Sequence, residues 1–307
     1  MTWIQTVRGA IAPEALGPTL IHEHILCDFI GAAETGHHRW DVTTVVATML
    51  PHLQELRRRG ITAFVDCTPM YLGRDVRVLL QLAEETGLHI LTNTGLYKEP
   101  YLPEEVFRLG PEELAAQWIA EWEQGIEGTG VRPGFIKIAV KPEPLAPIQQ
   151  LIVRAAARAH LATGLLVACH TGHARAAQES LDLIEAEGMD PRRYVIVHAQ
   201  NIEELEDHVA LARRGAWLEY DGIGGGQDER HLRLVLEMVA KGYEDRLLIS
   251  QDAGWYTAGE PQGGRVRPYT ALSDTFIPAL RRAGATEALV RKLLVTNPRR
   301  ALTLGRG

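Results

Sequence analysis

The sequence is poor in cysteine: Cys27, Cys67 and Cys169 are the only three in 307 residues. An odd count with no Cys-x-x-Cys pair excludes a disulfide framework and leaves reduced thiols. Long apolar runs are also missing, and none approaches the roughly 18 residues that a membrane span requires. The opening Met1-Thr2-Trp3-Ile4-Gln5-Thr6 has neither the basic start nor the apolar centre of a signal segment, so a cytoplasmic protein without a membrane partner is expected. Positive charge is in deficit, with a net charge of -7 and an isoelectric point near 6.0, which argues against a nucleic-acid partner. No low-complexity linker interrupts the chain, and no glycine-rich phosphate turn follows the first predicted strand. The one glycine cluster, Gly222-Ile223-Gly224-Gly225-Gly226, lacks a following Lys-Ser or Lys-Thr and reads as a flexible loop.

What is present is a chain with 46% hydrophobic and 23% charged residues, the balance of a globular protein with a large core. Short apolar runs alternate with helical spacings. Strands are predicted over 19–25, 61–66, 89–94, 134–140, 165–170, 194–198, 217–220 and 246–250. Helices are predicted over 41–59, 75–85, 111–126, 146–163, 174–187 and 229–241, with a further one to Arg214 that Asn201 and Glu204 would cap. The segments 270–282, 286–295 and 298–304 are also helical in pattern. Eight strands alternating with helices, most of them apolar on both faces, imply a parallel sheet covered on each side. The economical form is a single α/β domain over 1–307, a closed (β/α)8 TIM barrel. An open doubly wound sheet would ordinarily carry the missing phosphate turn.

In a barrel, chemistry collects at the C-terminal rim of the strands. His22 and His24 lie two residues apart on the first strand, where a period of two places both imidazoles on one face. Lys137 lies inside the apolar Phe135-Ile136-Lys137-Ile138-Ala139, His170 and His198 end strands five and six, and Asp252 follows strand eight. Taken singly, each is an ordinary rim residue, and Lys137 alone reads as a lysine that reaches out of the barrel to water. Taken together, they offer nitrogen and carboxylate ligands suited to zinc, manganese, iron or cobalt at the rim. Cys169, which precedes His170, should face the helices as a buried structural thiol.

Over Leu20-Ile21-His22-Glu23-His24, Gly134-Phe135-Ile136-Lys137-Ile138, Cys169-His170-Thr171, Val197-His198 and Ser250-Gln251-Asp252, the chain resembles the phosphotriesterase-like family of the amidohydrolase superfamily. The resemblance runs from about Thr6 to Leu304. It implies a hydrolase with two divalent transition-metal ions, zinc first, with cobalt, manganese or iron as alternatives. His22, His24 and Asp252 would hold the buried ion and His170 and His198 the exposed one, with Lys137 bridging both as a carbamate. An amine buried in an apolar strand is held in the neutral form that reacts with carbon dioxide. Ions about 3.5–4 Å apart would activate a water between them as the nucleophile. The resemblance also makes Asp252 the acceptor of that water's proton and puts Tyr97 over the metals.

Two departures bear on the substrate. Lactonases of the family usually carry an arginine directly after strand seven, where this chain reads Leu218-Glu219-Tyr220-Asp221-Gly222. Phosphotriesterases commonly place a relay aspartate just past the strand-six histidine, where it reads Ala199-Gln200-Asn201. Lactone opening with a promiscuous organophosphate activity is therefore the leading expectation, and phosphotriester hydrolysis as the main activity is the alternative. A mononuclear, non-hydrolytic barrel enzyme or a non-catalytic metal-binding protein stays open as a different class. The partner would be a small ester, lactone or phosphotriester, and a homodimer is compatible with such a barrel. Lys98 and the loop residues Trp255, Tyr256, Arg265 and Arg267 are the candidate substrate contacts, through aromatic burial and pairing with a carboxylate or phosphate. His173 should be a helix-start or pocket residue and not a ligand.

Overall fold

The computed structural model describes residues 1–142 and 144–305; residue 143 and the last two of the expected 1–307 domain lie outside the described residues. The strands of the barrel are β1 (Thr19–Glu23), β2 (Ala63–Asp66), β3 in two pieces (His89–Leu91 and Asn93–Thr94), β4 (Phe135–Ala139), β5 (Leu166–His170), β6 (Tyr194–Val197), β7 (Trp217–Tyr220) and β8 (Leu247–Ile249). Parallel ladders join β1 to β2 to β3 and then run in order from β3 through β8. Seven helices follow the first seven strands: α1 (Val42–Arg58), α2 (Val76–Thr86), α3 (Pro111–Gln124), α4 (Pro147–Thr163), α5 (Ala174–Ala186), α6 (Leu205–Arg214) and α7 (Asp228–Ala240). After β8 come α8 (Ile277–Arg282), α9 (Glu287–Arg291) and α10 (Asn297–Leu302). This is the expected (β/α)8 barrel, and among the described residues no helix is long and apolar enough to cross a membrane.

Period-two alternation sorts the side chains into two cores. Val65, Phe135, Leu166, Ala168, Val195, Val197, Trp217 and Leu248 fill the barrel interior, while Phe64, Ile136, Ile138, Val167, Cys169, Ile196 and Leu218 face the helices. Lys137 shares the parity of Phe135, and His170 that of Leu166 and Ala168, so both are carried inward at the C-terminal rim. Cys169 is buried on the opposite face, as expected. Helix ends follow local chemistry: the Asp41 carboxylate accepts from the Thr44 N–H at 2.8 Å at the start of α1, and Gly87 takes φ +69° just past α2.

Three features differ from the sequence reading. Leu20 faces the helices and Ile21 the interior, so strict alternation would send His22 outward; a register shift between Leu20 and Glu23 re-aims it. β1 stops at Glu23, leaving His24 just beyond the strand. Asn201 does not cap α6: it lies in the separate turn Ala199–Asn201, and α6 begins after Glu204 with no side-chain cap. An N-terminal hairpin, Ile4–Thr6 with Gly9–Ile11, adds Ile4 to the interior cluster beside Leu16 and Leu302.

Candidate metal centre

Six polar side chains expected from the sequence share one cavity. His22, His24, Lys137, His170, His198 and Asp252 line about 110 Å³ together with Cys27, Phe29, Leu72, Tyr97 and Trp255. The imidazoles are held from behind. His22 Nδ1 lies 2.5 Å from Glu219 Oε1 and 3.3 Å from Asp221 Oδ2. His198 Nδ1 lies 2.7 Å from Asp221 Oδ1, and His24 Nδ1 lies 2.8 Å from Thr68 Oγ1. Fixing one ring nitrogen in this way leaves Nε2 as the free donor, the arrangement found around histidines that bind metals. His22 Nε2 and His24 Nε2 both face Asp252 Oδ1, at 3.5 and 3.0 Å.

The other half of the cavity is a chain of nitrogens. His170 Nδ1 lies 2.7 Å from His198 Nε2 and 2.9 Å from the Tyr97 hydroxyl, and His170 Nε2 lies 2.7 Å from Lys98 Nζ. With His198 Nδ1–H donating to Asp221, His198 Nε2 must accept from His170 Nδ1–H, and His170 Nε2 accepts from the lysine. Burial, followed by the Lys137 charge, lowers His22 to about 4. Burial also pushes His170 well below the usual imidazole range. Both are therefore neutral at pH 7, the protonation state a metal ligand needs.

Two carboxyls behind the histidines divide the charge. Burial, then Asp221, raises Glu219 well above the usual carboxylate range. Burial would raise Asp221 too, but His198 and His22 bring it well below that range, so Asp221 carries the negative charge. Gln200 closes the arrangement, its amide N–H donating to Asp221 Oδ1 at 2.8 Å and its oxygen accepting from the Asp221 N–H at 3.2 Å. Ligand atoms of His22, His24 and Asp252 lie within 4.8 Å of one another, as do those of His22, His198 and Asp221. The first group faces the cavity. Asp221 touches the rear nitrogens instead, which makes it a support for two rings.

His198 and Asp252 are non-glycine residues at φ +59° and +49°. Left-handed backbone at such positions costs about 1–3 kcal/mol each, and it occurs where surrounding bonds fix a functional side chain. The Asp221 carboxylate holds the His198 N–H at 3.0 Å, and the Asp252 N–H donates to the His22 carbonyl at 3.1 Å.

Sequence reasoning passed over Glu219 and Asp221, although their spacing at the end of β7 repeats the i, i+2 logic of His22 and His24. Among the loop candidates, Trp255 lines the cavity, its ring centroid 5.5 Å from that of His24. Arg267 lines an adjoining cavity of about 320 Å³ with Gln200, Asn201, Gly222, Gly225, Asp252 and Trp255. Its guanidinium donates to the carbonyls of Gln251 and Asp252. Lys98 is spent on His170 and is not on the cavity wall. Tyr256 and Arg265 line neither cavity. Tyr256 is buried in a strand pair with Leu26, because its ring packs over Gly263, and Arg265 is exposed. His173 is exposed at the start of α5 and lines neither cavity. His173→Ala is therefore expected to bind metal as wild type does, as metal analysis of the purified variant would show; loss of an ion would make His173 a ligand.

A sequence profile of the Phosphotriesterase family matches residues 2–302. The phosphotriesterase homology protein of Escherichia coli K12 is 30% identical over 286 residues, covering 92% of this chain and 96% of its own. A variant of the organophosphorus hydrolase from Deinococcus radiodurans superposes with a TM-score of 0.89 at 32% identity, covering 97% of both chains. A structure described as organophosphate hydrolysis engineered from a weak promiscuous lactonase template superposes with a TM-score of 0.88 at 33% identity, covering 98% of this chain and 99% of that one. With a whole-length profile match, a relative at 30% identity and the same barrel in solved neighbours, this chain belongs to the phosphotriesterase family of hydrolases.

Proposed function

We propose that the 1–307 barrel is a binuclear metal hydrolase whose main reaction is lactone opening, with slow organophosphate turnover. His22, His24 and Asp252 would hold one ion and His170 and His198 the other, with Lys137 between them as a carbamate. The observation that carries this reading is the set of imidazoles held from behind by Glu219, Asp221 and Thr68 while their other nitrogens turn into one cavity, those of His22 and His24 onto Asp252 and that of His198 onto His170. Lys137 fits the same set. Its side chain is buried among four imidazoles, a setting that would favour an anion facing metals. When bound, the ions supply an activated water and a Lewis acid for the ester oxygen. The chain's own part is to keep His22 and His170 neutral, take up the water's proton at the Asp252 carboxylate, and seat the substrate beneath Trp255.

The preference for a lactone has a steric basis. The cavity of about 110 Å³ over the ligands and the one of about 320 Å³ beside it share Asp252 and Trp255. The smaller compartment suits the ring of a lactone with the ring's substituent extending into the larger one, whereas a phosphotriester must place three separate substituents. Gly222, with no side chain after β7, leaves the larger compartment open. Substituents entering it meet Arg267, so lactones bearing a polar or anionic group should be turned over better than neutral long-chain ones, with paraoxon slow. A partly buried charged hydrogen bond of this kind is worth about 1.5–3 kcal/mol, or roughly tenfold to a hundredfold in discrimination. The test is a panel of lactones and phosphotriesters on wild type, Arg267→Ala and Arg265→Ala. Arg267→Ala should lose the discrimination, and Arg265→Ala should not. A preference for neutral long-chain lactones that neither substitution alters would refute the assignment, and faster paraoxon turnover would favour the phosphotriesterase reading suggested by the organophosphorus-hydrolysing relatives.

A further inference from the structure

Between the two histidines at the end of β1 sits a carboxyl group that the proposed chemistry does not use. Glu23 is completely buried, and it crosses the seam to β8 instead of lining the cavity. Its Oε1 accepts from Ser250 Oγ at 2.9 Å, from the Gln251 N–H at 3.1 Å and from Gln251 Nε2 at 3.1 Å. Its Oε2 accepts from the Ala253 N–H at 2.7 Å. The two backbone donors stand on either side of Asp252. Ser250 Oγ accepts in turn from the His22 N–H at 3.0 Å, and the Gln251 side chain continues outward, donating to the Tyr269 carbonyl at 2.8 Å and accepting from the Leu272 N–H at 2.9 Å.

These bonds stand where the barrel has no ladder. β1 and β8 belong to separate hydrogen-bonded sheets among the described strands, so the seam is closed by the Glu23 side chain and by backbone bonds from Asp252 to His22 at 3.1 Å and from His24 to Ala253 at 3.0 Å. Asp252 is also the residue held at φ +49°. A backbone in that region relaxes unless its neighbours over-determine it, and Glu23 grips the residues before and after it.

We infer that Glu23 is a positioning residue: it clamps Gln251 and Ala253 so that the Asp252 carboxylate stays against His22 and His24. The inference rests on the reading of Asp252 as a ligand and proton acceptor, but the clamp itself can be measured without metal. Glu23→Gln keeps the size and replaces one acceptor oxygen with an NH₂ that opposes the N–H donors. Glu23→Asp keeps the carboxyl group and falls one methylene short. Amide hydrogen exchange of the metal-free chain should show faster exchange in both variants at residues 250–254, with β4 and β5 still protected. Titration with cobalt(II) alone should show an affinity lower by about 10- to 100-fold, the usual effect of removing a group that orients a ligand. The cobalt visible spectrum should change, and kcat should fall more than KM rises.

Ser250→Ala deletes one of the four donors and serves if the Glu23 variants do not fold; it should show the same changes in smaller degree. Wild-type protection at 250–254 together with an unchanged cobalt spectrum in the folded variants would overturn the inference. So would a fall in melting temperature with cobalt affinity and kcat intact, which marks a role in stability alone. If exchange quickens as expected but wild type binds no cobalt and opens no ester, the clamp stands and the hydrolase reading falls.

Discussion

Lys137→Ala is expected to lower the metal content from two ions per chain to one or fewer and to cut lactone turnover by more than about 10³-fold. The second figure follows from the several kcal/mol that a Lewis-acid contribution carries, at about 1.4 kcal/mol per factor of ten. Lys137 lies on β4 between Ile136 and Ile138, which face the helices, and its own side chain is only 1% exposed. A lysine kept only to fill space would be a poor choice there, since Met or Leu would do so without a buried amine. Removing it would leave the histidines at the ends of β1, β5 and β6 without the proposed carbamate between them. The variant and wild type should be loaded with the same excess of zinc or cobalt, dialysed and assayed by elemental analysis beside turnover. Wild type holding one ion or fewer with full activity would remove the binuclear reading and favour a mononuclear barrel enzyme such as an isomerase or decarboxylase. Activity absent at every loading would favour a non-catalytic metal-binding protein.

The barrel and the inward setting of Lys137 and His170 were legible because both rest on period two. Apolar runs of four to six residues between helical spacings gave the strands, and the parity of Lys137 with Phe135, and of His170 with Leu166, carried those side chains inward. His22 illustrates the limit. Its expected face was right, but it is reached through a register shift, a feature of strand pairing that one strand's sequence does not encode. Glu219 and Asp221 went unread because the comparison after strand seven looked for an arginine, although two acids at i, i+2 on an inward face carry their own signal. Asn201 has the residue type of a helix cap, yet its side chain packs near Gly172, and α6 starts four residues later. Tyr256 and Arg265 were named for their chemistry in a loop whose path is set by tertiary packing: the pairing of Tyr256 with Leu26 turns one inward and leaves the other in water.

Asp252→Asn is expected to lower kcat by about 10²- to 10⁴-fold, the range associated with a positioned proton acceptor, while KM changes by much less. The substitution isolates chemistry from fold. Asparagine tolerates the left-handed backbone about as well as aspartate, so the φ of +49° persists, as do the backbone bonds to β1 and the Glu23 clamp on either side. The amide oxygen can still face His24 Nε2, which lies 3.0 Å from Oδ1 in the native site. What is lost is the charge and the capacity to take a proton. Burial opposes the native charge, but the side-chain hydrogen bond with His24 holds the Asp252 carboxyl well below the usual carboxylate range, so it is ionised at pH 7 and free to accept. Its side chain is 32% exposed toward the cavity, which gives an accepted proton a route to solvent. A neutral amide also weakens the hold on the ion shared with His22 and His24, so the variant must be compared at matched metal content. Turnover near wild type with both ions in place would show that Asp252 neither ligates nor accepts the proton in the slow step, and the acceptor would have to be sought among the groups of the adjoining cavity.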